Sequence, residues 1–236
     1  METVFHSAYS RGRADHGWLN SYHSFSFASY YDSEKMNFGA LRVLNDDHVE
    51  GGMGFGKHPH ENMEIVSIPL SGDLEHEDNM GHRQVIKSGD VQVMSAGTGI
   101  SHSEYNANAH EAVKFLQIWV IPNKQGIEPR YQQITLDQSR MNGDLLQILS
   151  PNPDDEGVWI HQNAWFHMGN LNKGQEIEHK LKSSNNGIYV FLLDGEISIE
   201  NQIMATRDAM GVWDTDRINF DVKSDSQVLL IEVPMN

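Results

Sequence analysis

The sequence contains no cysteine, which excludes disulfide bonds, thiolate metal ligands and a cysteine nucleophile. Any bound metal must therefore be held by histidine and carboxylate side chains, a donor set that suits iron, manganese, nickel, copper or zinc. Long hydrophobic runs are also missing, because the apolar stretches 115–122 and 228–234 have the length of β-strands. Residues 1–18 lack the apolar centre of a signal peptide, so we expect a soluble cytoplasmic protein.

Positive charge is scarce. The chain has 17 Lys and Arg residues against 33 Asp and Glu residues, which gives a formal net charge of −16. Nucleic-acid binding requires clustered basic side chains that replace the counterions of the phosphates. We therefore expect no direct contact with nucleic acid and none with an anionic membrane, whereas a protein partner is compatible with the acidic charge.

Short runs rich in valine, isoleucine, leucine and aromatic residues dominate the chain, and turn residues separate them. No long window has helical periodicity. Regularly spaced short strands predict an all-β sandwich or barrel. The clearest runs are 40–44, 64–70, 91–94, 114–121, 188–193, 197–200 and 228–233.

A weak internal repeat predicts two barrels of one type. Residues 68–74 resemble residues 191–197, and each segment is followed by a charged hairpin and then by an apolar strand that ends in proline. The polar stretch 123–130 is the expected connection. We therefore divide the chain into an N-terminal barrel, residues 1–134, and a C-terminal barrel, residues 135–236.

Two short motifs predict a metal site. His58-Pro59-His60 places two imidazoles at positions i and i+2, which point to the same face of an extended chain. His102-Ser103-Glu104 repeats this spacing with an imidazole and a carboxylate. If the two segments lie side by side, three imidazoles and one carboxylate surround a divalent cation and leave coordination positions open.

These residues stand in segments that resemble the two cupin motifs. Residues 52–72 resemble G-x5-H-x-H-x3,4-E-x6-G, with one extra residue before Gly72. Residues 89–106 resemble G-x5-P-x-G-x2-H-x3-N, although Ser95 replaces the proline and two extra residues precede His102.

Longer strings resemble the bacterial pirin family over nearly the whole chain. They are HGWLNSYHSFSFASYYD, FGALRVLNDD, GFGKHPHENMEIV, LEHEDNMG, MSAGTGISHSEYN and FLQIWVIP. This resemblance implies a bicupin fold in which the N-terminal barrel alone keeps the metal. It implies His58, His60, His102 and Glu104 as the ligands, with Glu104 in the place that the motif glutamate, Glu64, takes in many cupins.

The resemblance also implies quercetin 2,3-dioxygenase activity, in which O₂ cleaves a flavonol and carbon monoxide is released. Glu104 is then the candidate catalytic residue, as the acceptor of the flavonol proton. We expect Fe(II) as the metal, with Mn, Ni, Cu or Zn as alternatives. As an alternative, the resemblance allows a regulator of transcription or metabolism without enzymatic activity, which binds a protein partner according to the redox state of the metal. A third possibility is that the natural substrate is another enolisable small molecule.

Several other residues allow two interpretations. Phe38, Phe55, Met94, Phe115 and Trp119 lie near the motifs and are pocket candidates or ordinary core residues. The segment 75–78 is a rival metal cluster or, as we expect, a solvated hairpin. His16 and His23 either line a pocket or, as we expect, lie in a segment that seals the barrel and packs the two domains together. We expect the remaining histidines, which have no partner at ligand spacing, to be surface or structural residues: His6, His48, His82, His110, His161, His167 and His179.

Overall fold

The chain forms antiparallel strands almost throughout. In the computed structural model, residues 1–235 are described. Two short 3-10 turns, Ala8–Ser10 and Gln138–Met141, interrupt the strands. Within residues 1–235, no helix is long and apolar enough to cross a membrane.

A first barrel consists of two sheets. A seven-stranded sheet has the order β12-β9-β6-β11-β4-β3-β2, and a four-stranded sheet has the order β5-β10-β7-β8. These strands are β2 (Gly12–Asp15), β3 (Leu19–His23), β4 (Leu41–Val49), β5 (Gly54–His60), β6 (Glu64–Ser71), β7 (Asp73–Asp78), β8 (Arg83–Lys87), β9 (Asp90–Ser95), β10 (Ile100–Asn106), β11 (Val113–Val120) and β12 (Arg130–Thr135).

A second barrel repeats this plan and completes the predicted all-β, two-barrel architecture. Its seven-stranded sheet has the order β1-β20-β17-β22-β15-β13-β14, and its four-stranded sheet has the order β16-β21-β18-β19. The strands are β1 (Glu2–His6), β13 (Leu146–Ser150), β14 (Val158–Trp159), β15 (Trp165–Leu171), β16 (Glu176–Lys180), β17 (Asn186–Asp194), β18 (Glu196–Ile199), β19 (Gln202–Ala205), β20 (Ala209–Trp213), β21 (Arg217–Val222) and β22 (Ser226–Pro234).

Strand β1 crosses between the halves of the chain. It pairs with β20, from Glu2 opposite Trp213 to His6 opposite Ala209. The first residues therefore extend the sheet of the second barrel, whereas a simple division at residue 134 assigns them to the first.

The main core lies between the two seven-stranded sheets. Alternate residues of each sheet face the other sheet, for example Leu116 and Ile118 of β11 and Leu229 and Ile231 of β22. The opposite faces line the barrel interiors. In the second barrel this interior is apolar, with Val190 among its buried residues.

A polar cluster also joins the halves. Glu64 accepts a hydrogen bond from the Ser95 hydroxyl at 2.7 Å. Arg130 donates to the Trp159 carbonyl oxygen at 2.6 Å, and its guanidinium lies 3.8 Å from the centre of the Trp159 ring. Burial raises the pKa of Glu64 from 4.5 to about 7, although the Ser95 hydrogen bond and the charge of Arg130 act in the opposite direction.

This shift makes stability depend on pH. Because the pKa of Glu64 is higher in the folded chain, the protonated form stabilises the fold below about pH 4.5, and this contribution is lost as the pH rises through about 7. The free energy of unfolding of Glu64→Gln, relative to that of the unsubstituted protein, should therefore rise between these two pH values and then level off. Urea denaturation of both proteins at several pH values, with a chelator present, checks this. A difference that stays constant with pH would contradict it.

Candidate metal centre

The two predicted motifs lie on neighbouring strands. Strand β5 carries His58 and His60, and β10 carries His102 and Glu104. The strands pair in antiparallel register with His102 opposite His58, and the register shifts between His102 and Glu104. This pairing brings ligand nitrogens of His58, His60 and His102 within 4.8 Å of one another.

The three imidazoles face one another closely. The ring centroids are 4.5 Å apart for His58 and His102, 4.8 Å for His58 and His60, and 4.9 Å for His60 and His102. Burial, followed by the neighbouring histidines, lowers the pKa of His60 to about 4 and that of His102 to about 3. Both rings are therefore neutral at pH 7, as metal ligation requires.

Hydrogen bonds hold the Glu104 carboxylate on both sides. Ser67 donates to Oε1 at 3.1 Å, and the Gln117 amide donates to Oε2 at 2.8 Å. Glu104 is 2% exposed and lies with His102 and His76 in a second group whose ligand atoms are within 4.8 Å of one another. It also lines one cavity together with His58 and His60.

A backbone carbonyl orients His58. The Nδ1 atom of His58 is 2.8 Å from the carbonyl oxygen of Gly56, a distance at which a protonated Nδ1 donates. This leaves Nε2 free to ligate, and it lies 3.1 Å from Nε2 of His102.

Behind His102 lies a chain of polar side chains. Nδ1 of His102 is 3.3 Å from Nδ1 of His76, and Nε2 of His76 is 3.3 Å from the Asp78 carboxylate. Asp78 also lies 2.9 Å from Nδ1 of His82. Burial alone would raise the pKa of Asp78, but hydrogen bonds from His82 and His76 lower it below its ordinary value.

The predicted hairpin forms between β7 and β8 and leaves Glu77 exposed, but the prediction is wrong for His76 and Asp78, which are not solvated. His76 is fully buried and Asp78 is 8% exposed. Strand alternation does put these two residues on one face. Because β7 pairs with β10 with Asp78 opposite His102 and His76 opposite Glu104, that face is the one that points into the barrel. The turn after Asp78 forms as expected. The i, i+2 spacing of His76 and Asp78, which places both on one face of a strand, was the signal in the sequence that could have indicated their place beside the metal ligands.

A cavity of about 220 Å³ opens beside the histidines. Its apolar and aromatic lining includes Leu19, Phe27, Phe55 and Trp119, and its polar lining includes His16, Ser21, His23, Asn45, Asp47 and Gln117. His16 and His23 thus lie on the cavity wall, the less favoured of their two interpretations. Burial raises the pKa of Asp47 to about 7, while a hydrogen bond from Ser21 acts against it.

The candidate pocket residues separate in the structure. Phe55 and Trp119 line the cavity. Phe38 instead packs between the barrels, 5.5 Å from the Tyr189 ring. Met94 packs against Ile65 in one small cluster, and Phe115 is fully buried in another. None of these last three, all within the described part of the chain, is on the wall of this cavity.

The donor set suits a divalent transition metal. Three imidazoles and one carboxylate are typical of iron, nickel, manganese, copper and zinc sites. Hydrogen-bonding groups outside the ligands fix the orientations of His58, His102 and Glu104, as is usual around bound metals.

The fold and the site together define a bicupin with a histidine-rich candidate metal site in its first barrel. The profile of the pirin family matches residues 5–120, and that of the quercetinase C-terminal cupin domain matches residues 147–233. The chain belongs to the pirin family.

Relatives and solved structures agree with this assignment. The quercetin 2,3-dioxygenase of Escherichia coli K12 is 42% identical over 227 residues, which cover 96% of each chain. A pirin-like protein of Caulobacter vibrioides is 36% identical over 222 residues, 94% of this chain and 95% of the relative. The crystal structure of the Escherichia coli pirin YhhW in complex with nickel(II) superposes with a TM-score of 0.93 at 39% identity and covers 99% of both chains.

The chain behind His102 leads to a prediction about metal affinity. His76→Leu removes the acceptor that faces Nδ1 of His102, so the affinity for Ni²⁺ should fall about 10- to 100-fold, the range found when such orienting groups are removed. His76→Gln keeps an acceptor oxygen and should retain more affinity. Isothermal titration of both metal-free variants with Ni²⁺ measures this.

A loss of fold would imitate this effect, so the thermal midpoint of each metal-free variant is measured as a control. Unchanged affinity in a folded His76→Leu protein would contradict the prediction.

Proposed function

We propose that the chain is a metal-dependent dioxygenase that uses O₂ to cleave a flavonol such as quercetin. The observation that carries this proposal is one cavity in which His58, His60 and Glu104 lie beside aromatic walls. The name of the Escherichia coli relative, quercetin 2,3-dioxygenase, supports the same reaction class.

His58, His60, His102 and Glu104 would hold the metal, and we propose Fe(II) as the physiological ion. The same donors also accept Mn, Ni, Cu or Zn, and nickel(II) is bound in the related Escherichia coli pirin structure. A divalent ion bound here supplies Lewis acidity, which favours the deprotonated form of a flavonol.

Glu104 is proposed to accept the proton of the flavonol 3-hydroxyl group. Ser67 and Gln117 each donate one hydrogen bond to its carboxylate, which leaves further acceptor capacity on both oxygens. The same two hydrogen bonds fix the direction in which the carboxylate faces, so the proton acceptor is oriented before substrate arrives.

Aromatic side chains are proposed to hold the flavonol rings and to exclude water. Trp119 packs edge-on against both His60, with ring centroids 4.9 Å apart, and Phe27, at 5.3 Å. Phe55 packs in the same way against Trp18 at 5.6 Å. These contacts hold the aromatic rings in fixed positions around the cavity.

The overall reaction balances without a further reductant. Both atoms of O₂ enter the product, one at each of the two carbons that flank the hydroxyl-bearing carbon. The two carbon–carbon bonds to that central carbon break, and it leaves as carbon monoxide with its own oxygen. The hydroxyl proton ends on the carboxylic acid that forms.

Oxygen consumption tests the proposed activity. Protein reconstituted with Fe(II) without oxygen should consume O₂ only when quercetin is present, and His58→Ala should abolish this consumption because a metal ligand is lost. His110→Ala, which replaces an exposed histidine, is the matched control and should retain full activity.

Absence of quercetin-dependent uptake despite stoichiometric iron would overturn the dioxygenase proposal. It would favour the alternative role as a metal-dependent regulator, and a search for bound proteins would follow.

A second variant separates the two roles of Glu104. Glu104→Gln keeps the shape of the side chain but loses the basic oxygen, so kcat should fall about 100-fold or more, the usual contribution of a general base. Iron content should fall much less. Equal kcat at equal iron occupancy would refute the role as proton acceptor.

A further inference from the structure

A row of polar side chains crosses the interior face of the large sheet in the first barrel. His23 of β3 is opposite Asn45 of β4, which is opposite Gln117 of β11. Gln117 in turn is opposite Ser67 of β6. Ser67 and Gln117 donate hydrogen bonds to Glu104, so one end of the row orients a candidate metal ligand.

Asn45 of this row and Asp47, two residues further along β4, have unused hydrogen-bonding capacity. The Oδ1 atoms of Asn45 and Asp47 are buried and have no hydrogen-bond partner. Both side chains are more than nine-tenths buried and both line the cavity beside the histidines. Their i, i+2 spacing on β4 directs them to the same face.

Two further unpaired atoms belong to the same cavity. Nε1 of Trp119 and Nδ1 of His23 are buried without partners, and both residues are among those that line it. An indole nitrogen can only donate, whereas the oxygens of Asn45 and Asp47 accept. Four unpaired buried polar atoms around one cavity are unusual, because such groups are nearly always paired.

We propose that Asn45 and Asp47 form a subsite that accepts hydrogen bonds from hydroxyl groups on the ring system of the substrate. This inference rests on the proposed function and deepens it, because it names the residues that would recognise hydroxyl groups besides the one beside the metal on a planar aromatic substrate. A substrate carbonyl or ether oxygen is the matching acceptor for Nε1 of Trp119.

The chemistry of the cavity favours this class of ligand over a plain hydrocarbon. An apolar ligand would leave the buried acceptors without partners, and a site built to bind a hydroxyl group discriminates strongly against an analogue that lacks it. An ordinary aliphatic alcohol would not use the aromatic wall formed by Phe27, Phe55 and Trp119.

Two flavonols and one substitution test the subsite. Quercetin carries hydroxyl groups on its outer rings, and 3-hydroxyflavone lacks them, while both keep the oxygens next to the metal. Dissociation constants are measured by fluorescence quenching without oxygen, on protein loaded with redox-inactive Zn²⁺. Asn45→Leu should weaken quercetin binding about tenfold, as expected for one lost hydrogen bond, and leave 3-hydroxyflavone within about twofold.

A second variant and a control accompany this experiment. Asp47→Leu tests the other acceptor and should act in the same direction. Asn20→Leu replaces an amide that hydrogen-bonds Arg13 on the exposed side of β3 and should leave both constants unchanged. Because Asn45 has an unpaired oxygen, Asn45→Leu should also keep or raise the thermal midpoint of the ligand-free protein, which a purely structural role would lower.

The outcomes separate the two proposals. If the substitutions weaken both flavonols equally, or neither, the subsite is refuted and the unpaired atoms serve bound water, while the dioxygenase proposal stands. If the unsubstituted protein binds neither flavonol, the proposed function fails and the subsite fails with it.

Discussion

The structure depends on the packing of its two seven-stranded sheets against each other. Their facing side chains form the largest hydrophobic cluster, to which both barrels contribute. Burial of apolar surface is the dominant stabilising term in folding. Because this shared layer does not depend on what fills the first barrel, the interior of that barrel can hold polar and metal-binding groups. Strand β1, which pairs with β20 in the sheet of the second barrel, adds to the connection between the halves.

The polar interior of the first barrel is stabilised chiefly by its hydrogen bonds. Buried polar groups cost free energy unless they are paired. Here Glu104 is paired with Ser67 and Gln117, and Asp78 with His76 and His82. Apart from those in the shared layer, the apolar residues of this barrel form two separate small clusters around the polar centre.

The strands, the two-barrel architecture and the shared face of the residues within each motif could be predicted from the sequence, whereas the pairing of the two motif segments was only a condition. Alternation has a fixed period of two, and the i, i+2 spacing at His58 and His60 requires only that the chain be extended. The sequence did not allow the burial of His76 to be predicted, because a strand pattern indicates which residues share a face but not which face turns inward. A different limit applies to Phe115, which shares β11 and its inward face with the cavity residue Trp119 yet is fully buried in an apolar cluster. Alternation indicates that both residues face inward but not which of them reaches the cavity.

Strands β11 and β22, which occupy corresponding positions in the two barrels, use one face for packing between the barrels and differ on the face that points into the barrel. Strand β11 turns Leu116 and Ile118 towards the partner sheet and Gln117 into its barrel, where it holds Glu104. Strand β22 turns Leu229 and Ile231 towards the partner sheet, but it turns Leu230 inward, into a continuous apolar cluster. The outward residues are equivalent because both barrels need the shared layer. The inward residues differ because the shared layer supplies most of the apolar packing. The interior of the first barrel can therefore leave a cavity and unpaired polar atoms for a ligand.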